Sequence, residues 1–162
     1  MMKWAAMDPL RDEEPSLTLK NVMGTIVVMD LDKFEEYVRL HGLDPYKPNI
    51  ITSTLSHLVN DFALKWQGVI IYGLDWKRGT EEAIIEIPFI HPSEVKEDLD
   101  RIRSTIKNLG ASITIIAIYD YVSAKPARDR REAYYGTPGR ARAMRLLRRL
   151  KRKGGDIVMV LG

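Results

Sequence analysis

The chain has no cysteine among its 162 residues. Disulfides and thiolate metal sites are therefore excluded, and any metal must sit on oxygen or nitrogen ligands. Histidine is scarce too: His41, His57 and His91 stand alone, at spacings that match no metal motif. No apolar run reaches the roughly 18 residues of a membrane span. The first twenty residues lack the basic-then-apolar order of a secretory signal, so a cytoplasmic location is expected. There is no Walker-type glycine loop, no Ser/His/Asp order and no internal repeat. The lack of Cys beside abundant Arg, Lys and Glu is also a composition found in thermophile proteins.

What is present is enough for one core: 45% of residues are hydrophobic. Residues 1–21 carry Asp8-Pro9 and Glu14-Pro15 with no sustained period, so a flexible arm is expected there, with a strand-like end at Leu17 to Leu19. Residues 22–162 are expected to form a single domain. Thr25 to Leu31 is apolar on both faces, as a central strand is. A short helix from Phe34 stops at Gly42, and a longer one runs from about Asn49 to Trp66, with Ile51, Leu55, Leu58, Val59 and Phe62 as its stripe. Val69 to Tyr72 and Ala83 to Ile87 flank the turn signal Lys77-Arg78-Gly79-Thr80 and form a hairpin. A helix capped by Ser93 ends at Gly110, and Ser112 to Tyr119 is a fourth strand. A polar helix from Pro126 to about Tyr135, a basic helix after Gly139 and a last strand from Asp156 to Leu161 complete the chain. The order strand, helix, strand, strand, helix, strand is the split βαβ pattern. The expected class is α+β, ferredoxin-like (βαββαβ), an antiparallel sheet with helices on one face and a C-terminal helix–strand extension over residues 126–162.

The first strand ends in Asp30 and Asp32, two apart and so on one face. A right-handed first crossover places the hairpin's Asp75 at the same edge of the sheet. Three carboxylates gathered there would repel, and Mg²⁺, which takes oxygen ligands and keeps substrate phosphates, relieves that repulsion. Asp30, Asp32 and Asp75 are therefore the candidate metal ligands and catalytic residues. Asp32 also fits the cap of the next helix, and Asp75 also fits an ordinary turn aspartate. Asp30 interrupts an apolar strand, where an unpaired charge is costly.

These residues resemble a known group. Val27-Val28-Met29-Asp30-Leu31-Asp32-Lys33-Phe34 is similar to the opening strand of the palm-type nucleotidyl cyclases, which include the GGDEF diguanylate cyclases and the polymerase-like large subunit of type III CRISPR complexes. Asp30 matches the metal-holding position of their Asp-x-Asp-x-Phe pattern. The layout looks closer still to archaeal GTP cyclohydrolase III, with Asp32-Lys33-Phe34, a long helix and a Gly-led hairpin from Gly68 to Asp75. The resemblance covers about Gly24 to Tyr119. It implies Mg²⁺-dependent binding of a purine nucleoside triphosphate, GTP above all, and cyclase-like or cyclohydrolase-like phosphoryl chemistry. The GGDEF signature itself is absent, and the hairpin has Tyr72-Gly73-Leu74-Asp75-Trp76 instead, with Asp75 as its one well-placed acid unless Glu81 or Glu82 supplies another.

Lys33, Lys47 and Arg78 flank the acidic edge and are candidates to meet a triphosphate, beside Phe34. Asn49 and Ser53 open the long helix, where they can hold a base or phosphate, or where Asn49 can simply cap. Arg140 to Lys153 carries eight cations and no acid. It is either the solvated face of an amphipathic helix or a surface for nucleic acid, the alternative function being a non-catalytic palm module that binds nucleic acid or a protein partner. A homo-oligomer formed through an open apolar sheet face is a further expectation.

Overall fold

The computed structural model describes residues 22–162; the expected arm over residues 1–21 lies outside them. The sheet starts with β1 (Met23–Leu31). It is followed by α1 (Phe34–Leu40) and α2 (Ile50–Trp66). Strands β2 (Val69–Tyr72) and β3 (Glu82–Pro88) form the hairpin. Helix α3 (Pro92–Asn108) leads to β4 (Ile113–Tyr121). The chain closes with α4 (Arg130–Tyr135), α5 (Pro138–Arg152) and β5 (Val158–Leu161). Strand order is β2-β3-β1-β4-β5, and only the β4–β5 pair is parallel. The first four strands are the split βαβ arrangement expected from the element order.

Alternation along β1 divides the core in two. Val27, Met29 and Leu31 face α2 and α3, meeting Leu55, Val59, Leu99 and Ile106. Ile26 and Val28 face the other way, toward Ala143, Met144 and Leu147 of α5. The sheet thus has helices on both faces, not one. The C-terminal extension covers the face that was expected to be open for a twin subunit. Close approach makes this docking possible: a Cβ on Gly139 would lie 2.6 Å from Ile26 Cδ1.

Helix α5 is bolted to that face at both ends. Near its start, Arg140 Nη1 donates to Glu86 on β3 at 3.0 Å, and both side chains are buried. Near its end, Lys151 Nζ reaches Asp30 at 3.0 Å and Asp32 at 2.8 Å. Eleven residues of helix span about 16 Å, which matches the distance between opposite ends of a short strand. The cation at the C-terminal turn also suits the helix dipole. Two of the eight cations of the basic block therefore turn inward, Arg140 buried and Lys151 partly so.

Three boundaries differ from the sequence reading, each for a local reason. The cap of α3 is His91, not Ser93, with Pro92 as the first helical residue and the His91 N–H donating to Glu94 at 2.9 Å. Helix α4 begins at Arg130 rather than Pro126, because the N–H groups of Ser123 and Ala124 are drawn to Glu86 (2.8 and 2.7 Å) and hold the connector as a loop. Strand β5 begins at Val158 because Asp156 has a left-handed backbone, φ 55°, and gives its N–H to Asp32.

Candidate functional site

The carboxyl end of β1 meets the first residue of β3 and the start of β4. Asp30 stands opposite Glu82 on one side and Thr114 on the other. Directly paired residues in an antiparallel ladder share a face, so the Asp30 and Glu82 carboxylates are neighbours. Burial pushes the Asp30 carboxyl up to about 6, and the Lys151 ammonium only partly offsets this, while the Glu82 and Asp32 charges add to it. A partly exposed carboxyl that titrates near neutrality is unusual, and such groups cluster at functional sites.

Asp32 has a different environment. Its Oδ2 accepts from Ser112 Oγ at 2.6 Å and from the Asp156 N–H at 2.9 Å. Its Oδ1 accepts from Thr114 Oγ1 at 2.7 Å and from Lys151 at 2.8 Å. Burial alone would raise this carboxyl, but those four bonds together hold it below the ordinary carboxylate value. Asp32 caps no helix: the residue before α1 is Lys33, with φ 47° and no side-chain cap. Gly155 is required beside it, since a Cβ there would stand 2.8 Å from the Asp32 carboxylate and φ is +66°. Asp32 thus ties β1, β4, α5 and the β5 approach together.

Asp75 accepts from the N–H groups of Lys77 and Arg78 at 2.9 and 2.8 Å, which makes it the cap of its own turn. Among the described residues, no three acidic or histidine side chains converge on one metal position. The three-carboxylate cage is therefore not assembled. The ammonium of Lys151 lies between Asp30 and Asp32 instead. A smaller site fits better. Only one Asp30 oxygen, Oδ2, is engaged by Lys151. Glu82 is engaged by Tyr134 O–H and, at 3.4 Å, by the exposed Arg130. Two carboxylates, with water and phosphate oxygens completing the shell, are a normal donor set for a hard divalent ion.

In front of this edge lies a cleft of about 570 Å³ lined by Glu35, Asp75, Arg78, Glu81, Glu82 and Arg130, with Tyr72, Gly73 and Leu74. It shares Glu35, Arg78 and Glu81 with a second hollow of about 500 Å³ between α1 and the loop after it. That hollow presents Phe34, Val38, Leu43, Pro45 and Tyr46. The Arg78 guanidinium sits 5.2 Å from the Tyr46 ring centre, and burial raises the Glu81 carboxyl. The two spaces together form an apolar slot that opens on an acidic shelf carrying two arginines.

Of the residues singled out from sequence, Phe34, Asp75 and Arg78 line these spaces and Asp30 adjoins Glu82. Lys33, Lys47, Asn49 and Ser53 line neither. Asn49 is occupied as the cap of α2, accepting from the Ile51 and Thr52 N–H groups, both at 3.0 Å. Lys151, Tyr134 and Glu35 were missed, and Glu82 was weighed only as an alternative second acid of the hairpin. Their signal was faint: a strand beginning Glu81-Glu82 opposite a strand ending in Asp30, and a lysine eleven residues after Arg140.

No family model matches this chain, and no curated protein matches it. Among solved structures it is similar to the crystal structure of the FimX GGDEF domain from Pseudomonas aeruginosa, with a TM-score of 0.56 and 15% identity over 93% of this chain and 90% of that one. At that identity the likeness is one of fold: the chain has the palm-type architecture of a GGDEF domain.

Proposed function

We propose that this protein is a purine-nucleotide-binding palm-type domain, with the base in the slot beside Phe34, Val38 and Tyr46 and the phosphates over the shelf at Asp30 and Glu82. The observation that carries the reading is the face-to-face pair Asp30 and Glu82, of which Glu82 lines a cleft that shares Glu35, Arg78 and Glu81 with an apolar slot. An aromatic-lined slot suits a planar ring, and carboxylates at its rim (Glu35 and Glu81) accept from a donor edge. The guanine edge carries such donors, which favours GTP over ATP. Asp30 and Glu82 would hold one divalent ion, Mg²⁺ in the cell, and the ion supplies charge neutralisation for phosphate oxygens. Lys151 and Arg130 stand beside that shelf and orient anionic groups. Lys151 also offsets the repulsion between Asp30 and Asp32. Phosphoryl chemistry of the cyclase or cyclohydrolase kind is proposed for the bound triphosphate.

The test is a melting-temperature shift with GTP, ATP and CTP, each with and without Mg²⁺, followed by product analysis. A ligand at about 100 times its Kd stabilises by about 2.7 kcal/mol, which corresponds to a rise of about 5–10 °C for a chain this long. The expected order is GTP above ATP above CTP, with the rise requiring Mg²⁺ and lost in Asp30→Asn. No shift with any nucleotide would overturn the proposal. A second reading rests on Lys151: its ammonium already sits where a cation between Asp30 and Asp32 belongs, as in a palm module that has dispensed with metal. Nucleotide shifts that are equal with and without Mg²⁺ would favour that reading.

A further inference from the structure

Beyond the nucleotide shelf, we infer that the outer face of α5, with the tyrosine pair of α4 at its edge, is a binding surface for single-stranded nucleic acid. With Arg140 and Lys151 turned inward, the exposed cations of the basic block are Arg142, Arg145, Arg148, Arg149, Arg152 and Lys153. Arg142 leans on Asp120 at 3.5 Å. Among the described residues the other five have no carboxylate partner. Arg145, Arg149 and Arg152 recur at intervals of four and three, so they form one stripe. From Arg145 to Lys153 the stripe covers about 12 Å of helix. A like-charge array of this density, with no acid on its own helix, is destabilised by self-repulsion unless an anionic partner neutralises it.

The edge of the stripe decides which polyanion fits. Arg148 donates to Tyr135 O–H at 2.8 Å, and its guanidinium lies 5.7 Å from the Tyr135 ring centre and 6.0 Å from that of Tyr134. Arg130 lies 5.1 Å from the Tyr134 ring centre as well. Tyr135 is 52% exposed. An exposed ring, Tyr135, beside the half-buried Tyr134 and the arginine forks provides a stacking platform for bases beside donors for phosphates, which is how single strands are held without sequence reading. A lipid surface would call for protruding aliphatic anchors on this face, and Leu146 and Leu150 are packed against the core instead. Arg130 also lines the acidic cleft, so the surface begins at the rim of the nucleotide shelf.

The test is the salt dependence of binding to a fluorescent 20-nucleotide single-stranded RNA of mixed sequence, without Mg²⁺ or free nucleotide. Five neutralised phosphates give a log–log slope near about −3.5, so affinity should fall about 100-fold between 50 and 200 mM salt. Replacing Arg145, Arg149 and Arg152 together by Ala should reduce that loss to about sevenfold. Tyr135→Ala should weaken binding at least about fivefold while leaving the slope unchanged. Circular dichroism confirms that these exposed variants are folded. Three results would each overturn the inference: no binding at 50 mM salt, an unchanged slope in the triple variant, or equal capture by phosphatidylserine vesicles or polyglutamate with no effect of Tyr135→Ala.

Discussion

Asp30 and Asp32 are two residues apart on one face of one strand, yet they should respond to the same substitution with opposite signs. Asp32→Asn keeps the shape and removes the charge. The carboxylate accepts four hydrogen bonds, from Ser112, Thr114, Lys151 and the Asp156 N–H, all at 2.6–2.9 Å. An amide offers one acceptor oxygen, and its NH₂ group would face the remaining donors. Hydrogen bonds to a charged group contribute about 1.5–3 kcal/mol each, and a buried donor left without a partner costs about 1–3 kcal/mol. Lys151 keeps Asp30, and the two hydroxyls can rotate, so part of this is recovered. A net loss of about 3 kcal/mol is expected. For a domain of this length that corresponds to a fall in Tm of about 6–12 °C.

Asp30→Asn should do no such harm. Its carboxyl titrates at about 6 because burial disfavours the charge more than Lys151 favours it. Removing that charge at pH 7 leaves Tm unchanged or raises it by a few degrees. Thermal melts by circular dichroism at pH 7, on the wild type and both variants, measure the two effects together. The division of labour between Asp32 as clamp and Asp30 as site residue is refuted if Asp32→Asn melts within about 1 °C of wild type. It is equally refuted if Asp30→Asn falls as far as Asp32→Asn.

The same shift predicts a pH dependence. The folded pKa of Asp30, about 6, lies above the ordinary 3.8, so the folded state holds its proton more tightly and stability falls as pH rises from about 4 to 6. Because the side chain is 37% exposed, screening limits this to about 1 kcal/mol; denaturant titrations at pH 4 and 7 should show Asp30→Asn gaining on wild type by that amount. Any divalent ion on Asp30 competes with the same proton, so metal affinity measured calorimetrically should be about tenfold weaker at pH 5 than at pH 7. Glu86→Gln should cost about 3–5 kcal/mol in urea unfolding, since it leaves the buried Arg140 without its counter-charge. Gly155→Ala should destabilise by about 1–3 kcal/mol, combining a left-handed backbone with a clash on the Asp32 carboxylate, and a melt within 1 °C of wild type would contradict the clamp.

The element order was legible because each element carries its own period and its own stops. The stripe Val95, Leu99, Ile102 and Ile106 is buried as the 3.6-residue period requires, and the doubly apolar β1 is central in the sheet. Long-range polar pairs were not legible. Glu86 sits in an apolar strand and Arg140 in a basic block, 54 residues apart, and nothing local marks them as partners. Asp32 looked like a helix cap because the next residues are helical; its actual partners are 80 to 124 residues away. The same limit misplaced the metal cage. Topology brings Asp75 to the right edge, but turn geometry bends its carboxylate back onto Lys77 and Arg78, and the acid that faces Asp30 in direct register is Glu82.

The position of Lys151 sets a condition on anything that binds at this edge. Its ammonium bridges Asp30 and Asp32 and also donates to the Leu31 carbonyl at 3.0 Å. A divalent ion placed on Asp30 and Glu82 brings two positive charges close to that ammonium, and like charges at such range cost free energy unless anions intervene. Phosphate oxygens are such anions. Metal and phosphate should therefore bind cooperatively, each weak alone and tight together, because each screens a repulsion that the other suffers. Asp32 makes this tolerable: it holds Lys151 on one side while Asp30 is released to the ion. In Lys151→Met the coupling should reverse its origin. Metal alone should bind more tightly, since the competing ammonium is gone, and nucleotide should lose a phosphate partner. Calorimetric titration of metal with and without GTP, on both proteins, measures the coupling directly. Equal metal affinity in wild type and Lys151→Met would mean that the ammonium is not in competition at Asp30, and the cooperative scheme would fall with it.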